Sequence, residues 1–222
     1  MMVSTLGQAA IAEGPVVVEL YTSQGCSSCP PADDILARLS AEGEVIALAL
    51  HVDYWDYIGW ADTFADPAYT ERQRDYARFV GADTIYTPQF VVNGQDFVVG
   101  ARDRQLNSAI NAHQDGHSGI SVAATRGEGG QVTITAEASM TYARDLLVQV
   151  VSVLPDQDVA IRRGENAGRT LTYSNIVAGW STVTEWATDR PLTLTIDADA
   201  NAAVVLIQEP GPGAIVAASR IR

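Results

Sequence analysis

Cysteine is scarce in this 222-residue chain: there are two, together with three histidines. A structural zinc site normally takes four Cys or His ligands, and no second Cys pair or Cys/His cluster supplies them. Basic side chains are also few, 14 Lys and Arg against 27 Asp and Glu, for a formal net charge of −13. That sign argues against a nucleic-acid binder, which needs cations facing phosphate, and against docking on anionic lipid. No apolar run reaches the ~18 residues that cross a bilayer, so no membrane insertion is expected. Low-complexity tracts and internal repeats are missing as well. What remains is an ordinary globular composition, 47% hydrophobic and 18% charged.

The first 14 residues lack a basic segment and a convincing apolar core, the marks of a leader peptide. They do contain Ala10-Ile11-Ala12, which resembles a signal-peptidase site. The stretch 1–14 is therefore expected to be a tail or the remnant of a leader. A periplasmic or secreted location is favoured over the cytoplasm.

The two cysteines lie three apart, in Gly25-Cys26-Ser27-Ser28-Cys29-Pro30-Pro31. A structural disulfide closing so short a loop constrains the unfolded chain very little. Redox chemistry or metal binding explains the spacing better.

Around them the chain alternates strand and helix. Pro15 to Tyr21 is a β-branched apolar run that reads as a buried strand. A Gly-containing turn leads into the cysteines, and Pro30-Pro31 pins a helix start near Cys29, since proline is tolerated at that end. Asp33 and Asp34 sit in the first helical turn, where a carboxylate suits the dipole. A second buried strand covers Glu44 to Asp53, and an aromatic, acidic loop follows from Tyr54. A helix is expected over Pro67–Phe79 with Gly81 as its stop, a hairpin around Asn93-Gly94, and a helix over Asp103–His113.

Beyond residues 115–119 the pattern changes to short alternating strands: 120–125, 131–138, 145–153, 170–176, 192–196, 203–208 and 215–221. The expected architecture is thus an α/β domain over 15–115 and an all-β, sandwich-like or antiparallel-sheet domain over 119–222.

Strand, turn, Cys-x-x-Cys, helix is an order that sets a sulfur at a helix N-terminus, where unpaired N–H groups favour the thiolate. Cys26 is then the exposed nucleophile, and Cys29, one turn inward, the resolving thiol. In these residues the chain resembles the thioredoxin superfamily. The resemblance implies a central mixed sheet flanked by helices, with the 54–81 segment as a helical insertion. It implies that Thr87-Pro88 is the cis-proline that shapes the substrate groove, with Thr87 offering backbone hydrogen bonds to a peptide. It also implies that Glu19 is the buried acid exchanging a proton with the second cysteine; a Glu exposed at a strand edge is the competing reading. Glu19 to Asp33 and His51-Val52-Asp53-Tyr54-Trp55-Asp56 further resemble a bacterial thioredoxin-like family of unknown function, whose members often carry a leader.

Ser27-Ser28 in place of the thioredoxin spacer leaves the direction of electron flow open. Tyr54, Trp55 and Trp60, together with Tyr57, either line a groove beside the sulfurs or form an aromatic mini-core. His51 reads as a structural histidine at a strand end, with tuning of the thiols as the alternative. Asp53 and Asp56 read as loop or capping carboxylates, with cation binding as the alternative. The expected activity is thiol–disulfide oxidoreduction, without a cofactor or a bound metal, on a redox partner protein or disulfide substrate. Handling of Cu(I) by the same thiolates and a non-catalytic binding module are the alternatives.

Overall fold

Chain segments that are apolar on both faces can only be strands buried between layers, and the first two strands are of that kind. β1 (Val17–Thr22) and β2 (Ile46–His51) are buried along their whole length and pair in parallel, Val17 opposite Ile46 through Thr22 opposite His51. The computed structural model describes residues 14–114 and 118–222. The expected tail with Ala10-Ile11-Ala12, save Gly14, and the junction at 115–117 lie outside the described residues.

Between the two strands runs α1 (Pro30–Glu42). Two prolines open it, where no N–H is required, and Gly43 closes it at φ 76°. α2 (Pro67–Phe79) starts on Asp66, whose carboxylate accepts the Ala68 N–H. β3 (Gln89–Val92) pairs antiparallel with β1, and β4 (Asp96–Val99) folds back on β3. Asn93 and Gly94, at φ 45° and 69°, make the left-handed turn between them. α3 (Asp103–Gln114) ends this half.

The second half contributes β5 (Ile120–Arg126), β6 (Gln131–Ala138), β7 (Leu146–Leu154), β8 (Gln157–Ala160), β9 (Thr170–Tyr173), β10 (Ile176–Trp186), β11 (Leu192–Asp197), β12 (Ala202–Gln208) and β13 (Ile215–Arg220). Two features depart from expectation. The strand expected over 170–176 stops at Tyr173; Asn175 turns at φ 51°, and the eleven-residue β10 begins. Register shifts after Val177 and Thr182 break the alternation of β10, which hides it from a period-two search. β8, short and half polar, gave no signal.

The larger departure is in the sheets. The strands after residue 118 pack as two layers around a cluster of their own, the sandwich-like arrangement expected, but one of those layers is shared with the first half. Four of them extend the first-half sheet into one of eight strands, ordered β13-β12-β7-β10-β2-β1-β3-β4. The join is β10 on β2: Ile176 lies opposite Ala49, the Ala49 N–H donates to Asn175 O at 2.9 Å, and Asn175 Nδ2 donates to Ala47 O at 2.9 Å. The edge of β2, otherwise a row of unpaired backbone groups, is thereby covered.

One face of this mixed sheet carries a single apolar cluster from both halves, with Tyr21, Leu48, Val151, Val177 and Leu206 under Tyr69 and Tyr76 of α2. The other face is split. α1 and α3 cover it over β1–β4, through Leu36, Leu39, Leu106 and Ile110. The three-stranded sheet β11-β6-β5 covers it over β7 and β12, around Ile134, Val148 and Val205. No described helix is long and apolar enough to cross a membrane.

Candidate active site around the Cys26–Cys29 disulfide

Parallel strands deliver their loops to one end of a sheet, and the cysteines lie in the loop leaving the C-terminal end of β1. Cys26 and Cys29 are joined, S–S 2.08 Å. Cys29 is the N-cap of α1, and its carbonyl accepts from Ala32 N–H at 2.8 Å and Asp33 N–H at 3.1 Å. The Thr87–Pro88 bond is cis. Since Gln89 pairs with Tyr21, Pro88 comes to the same end of β1 as the cysteine turn.

The expected exposure of Cys26 is corrected: its relative accessibility is 1%, and that of Cys29 is 0%. Ser27 and Ser28 between them are exposed, and Cys26 Sγ lies 3.4 Å from Ser28 Oγ.

The expected role of Glu19 is corrected as well. Alternation along β1 turns Val18, Leu20 and Thr22 towards α1 and Glu19 away from it. Glu19 is fully buried, but its carboxylate accepts from Arg72 Nε at 2.8 Å and Nη2 at 2.9 Å, Tyr76 Oη at 2.8 Å and Tyr21 Oη at 2.9 Å. It locks α2 to the sheet on the face opposite the cysteine-bearing helix.

A different buried acid lies on the cysteine side. Asp33 stands four residues after Cys29, so the two side chains share a face of α1. Thr22 Oγ1 donates to Asp33 Oδ1 at 2.8 Å. Burial raises the Asp33 pKa from 3.8 to about 7, against the lowering pull of His51 and the Thr22 hydrogen bond. His51, also fully buried, holds Asp62 Oδ2 with Nδ1 at 2.8 Å, and the same oxygen accepts the Gln24 N–H at 2.7 Å. Tyr173 of β9 packs edge-on against the His51 ring at 4.9 Å. Asp33 Oδ2, His51 Nε2 and Tyr173 Oη, three buried polar atoms of this group, have no hydrogen-bonding partner among the described residues. Buried groups of that kind are uncommon.

Tyr54 and Trp55 pack against the apolar cluster under α2. Trp55 Nε1 donates to Thr87 Oγ1 at 2.7 Å, Trp60 Nε1 to Gln24 Oε1 at 2.8 Å, and Tyr54 Oη to Gln73 Oε1 at 3.1 Å. All three are half-buried and fix the loop beside the disulfide turn, whereas Tyr57 is 82% exposed. Asp53 accepts from Thr70 Oγ1 at 2.6 Å, and Asp56 accepts the Asp62 N–H at 3.0 Å, so both tie loop to helix or to itself. No group of three or more His, Cys, Asp or Glu placed to hold a metal ion occurs among the described residues.

A family model described as a protein of unknown function, DUF1223, matches residues 17–208. The chain belongs to this family. As a DUF1223 protein it is similar over its length to a crystal structure from Agrobacterium tumefaciens, with 33% identity and TM-score 0.80 over 94% of this chain and 95% of that one. HBP35 of Porphyromonas gingivalis shares the fold, with 15% identity and TM-score 0.67 over 94% of this chain and 74% of that one. A Malassezia sympodialis thioredoxin aligns over 46% of this chain and 78% of its own, with 24% identity and TM-score 0.29. No curated protein matches.

Four residues that the sequence did not single out for the site lie around the cysteine turn of this DUF1223 chain: Asp33, Asp62 and Tyr173, and Asn166, whose amide donates to Gln24 O and Cys26 O. Asp33 had a signal in its four-residue offset from Cys29, and His51 in being polar at the end of an apolar strand. Asn166 stands 140 residues from Cys26 in sequence and Tyr173 lies further on still, and no local pattern points to them.

Proposed function

We propose that this protein is a thiol–disulfide oxidoreductase acting on protein or small-molecule disulfides and dithiols. In this reading the order β1-α1-β2-α2-β3-β4-α3 is a thioredoxin-like unit, embedded in the longer sheet. The observation that carries it is the Cys26–Cys29 bond at the start of α1, beside a cis Thr87–Pro88 and one helical turn from a buried acid.

The exchange balances as follows. A thiolate of an incoming dithiol attacks Cys26 Sγ; a mixed disulfide forms and the Cys26–Cys29 bond breaks, its electron pair going to Cys29 Sγ. The partner's second thiol then displaces Cys26, leaving the partner oxidised and both cysteines as thiols. In reverse, Cys26 thiolate attacks a disulfide substrate and Cys29 resolves it. Cys29 is fully buried, so its leaving thiolate needs a proton from within. Asp33, partly protonated near neutrality and four residues on from Cys29, is the donor in this reading. Thr87, directly before Pro88, would offer its backbone hydrogen bonds to a bound peptide.

Equilibration against glutathione or dithiothreitol redox buffers tests the reading. A midpoint between about −120 and −270 mV is expected, the range of exchange catalysts. Cys29→Ser should trap a mixed disulfide on Cys26. The burial of both sulfurs favours a second reading, a non-catalytic module with a structural disulfide. A midpoint below about −300 mV and no trapped partner would establish that instead.

A further inference from the structure

An attacking sulfur must reach Cys26 Sγ, yet the pair is buried, and a loop from the far half of the chain is bonded to the turn that carries it. β8 and β9 form an isolated two-stranded hairpin. The loop joining them, 161–169, is pinched shut at its base, the Ile161 N–H donating to Arg169 O at 2.9 Å and the Gly168 N–H to Ile161 O at 2.8 Å. From it Asn166 projects inward, 1% exposed. Asn166 Nδ2 donates to both Gln24 O at 2.9 Å and Cys26 O at 3.0 Å, and its Oδ1 accepts from Arg169 Nη1 at 2.9 Å. Next to it, Glu165 Oε2 accepts the Ser27 N–H at 3.3 Å. Gly164 lies against Trp60, so close that an added Cβ would meet the Trp60 Cβ at 3.3 Å.

Within the loop only Ile161 and Asn166 are buried; the others are exposed or half-exposed. It is held on the cysteine turn by a few hydrogen bonds rather than by an apolar core, which is the character of segments that open locally.

We infer that loop 161–169 is a latch over the disulfide and that Asn166 is the specificity-determining residue that holds it closed. The inference rests on the disulfide-exchange reading. A small thiol reacts only in the moments when the loop lifts. A protein partner that brings its own N–H donors to Gln24 O and Cys26 O replaces the Asn166 amide and then meets Cys26 Sγ. The second half of the chain thus selects the partner, and the chemistry at sulfur is that written above.

The test is the rate at which dithiothreitol reduces the disulfide in the full chain. Asn166→Ala removes two donated bonds and should react on the order of ten- to thirty-fold faster. Arg169→Ala, a change at an exposed side chain, frees the same amide from one end and should give a smaller acceleration; it carries the test if Asn166→Ala fails to fold. Gly94→Ala strains the β3–β4 turn at the other end of β1, where a Cβ would meet Gly213 O at 2.6 Å. It destabilises without touching the latch and should leave the rate unchanged. Wild-type rates in both loop variants, or equal acceleration in all three, would overturn the latch. Failure of the wild-type disulfide to re-form reversibly would instead sink the exchange reading, whatever the loop variants do.

Discussion

Asp33 and Glu19 are both buried carboxylates within reach of the first strand, and their surroundings give them opposite characters. Glu19 meets a guanidinium in two places and two phenols, so its charge is fully matched. Asp33 has one hydroxyl donor and an unpartnered second oxygen. In the folded chain it keeps its proton up to about pH 7, whereas an unfolded chain releases it near 3.8. Between those values the native state binds more protons, so stability falls as pH rises through that window and levels off above it. Asp33→Asn should remove this dependence: its Tm relative to wild type should rise between pH 4 and pH 7, read by thermal melts at fixed ionic strength. The same variant should slow disulfide exchange on the order of a hundredfold near neutrality, the usual size of a general-acid contribution. Exchange rates that match wild type across the pH range would remove Asp33 from the mechanism.

At the scale of elements, α2 is a charged helix whose attachment to the sheet runs through Arg72. Its guanidinium reaches Glu19 on β1 and Gln208 on β12, and it lies 3.8 Å above the Trp180 ring of β10. One side chain therefore ties a first-half helix to strands of both halves. A concavity of about 750 Å³ opens beside it, between α2 and strands β7, β10 and β12, with no residue of the disulfide turn in its wall. Removing one member of such a buried pair leaves the other uncompensated, at a cost of about 3–5 kcal/mol. Glu19→Gln should lower the urea midpoint accordingly while leaving the pH profile of disulfide exchange in place. A shifted profile would return Glu19 to the chemistry.

At the scale of the whole molecule, the two halves share one sheet and one apolar cluster and are expected to unfold together. The cluster under α2 takes Val17, Leu48 and Val91 from the first half and Val151, Val204 and Ile215 from the second. A fragment ending at residue 118 would expose the edge of β2 and half of that cluster. It is expected to melt without a sharp transition and to associate in size-exclusion chromatography. A monomeric fragment with a wild-type melting profile would show that the halves fold independently.

Local patterns in the sequence sufficed for most elements. The β-branched runs, the prolines before α1 and α2, and the Asn93-Gly94 turn act over a few residues, so their outcome is written where they stand. The cysteine pair and its place at the start of α1 were legible for the same reason. Periodicity did not reveal that β10 docks on β2, because register between distant strands depends on which edge is left open. Nor could it show that Glu19 turns to the α2 face while Asp33 turns in against Thr22, since burial and pairing are settled only when layers pack. Cys26 was expected to be exposed and is buried. Asn166, 140 residues away, donates to the Cys26 carbonyl, a contact that exists only because the far half of the chain folds back onto the cysteine turn.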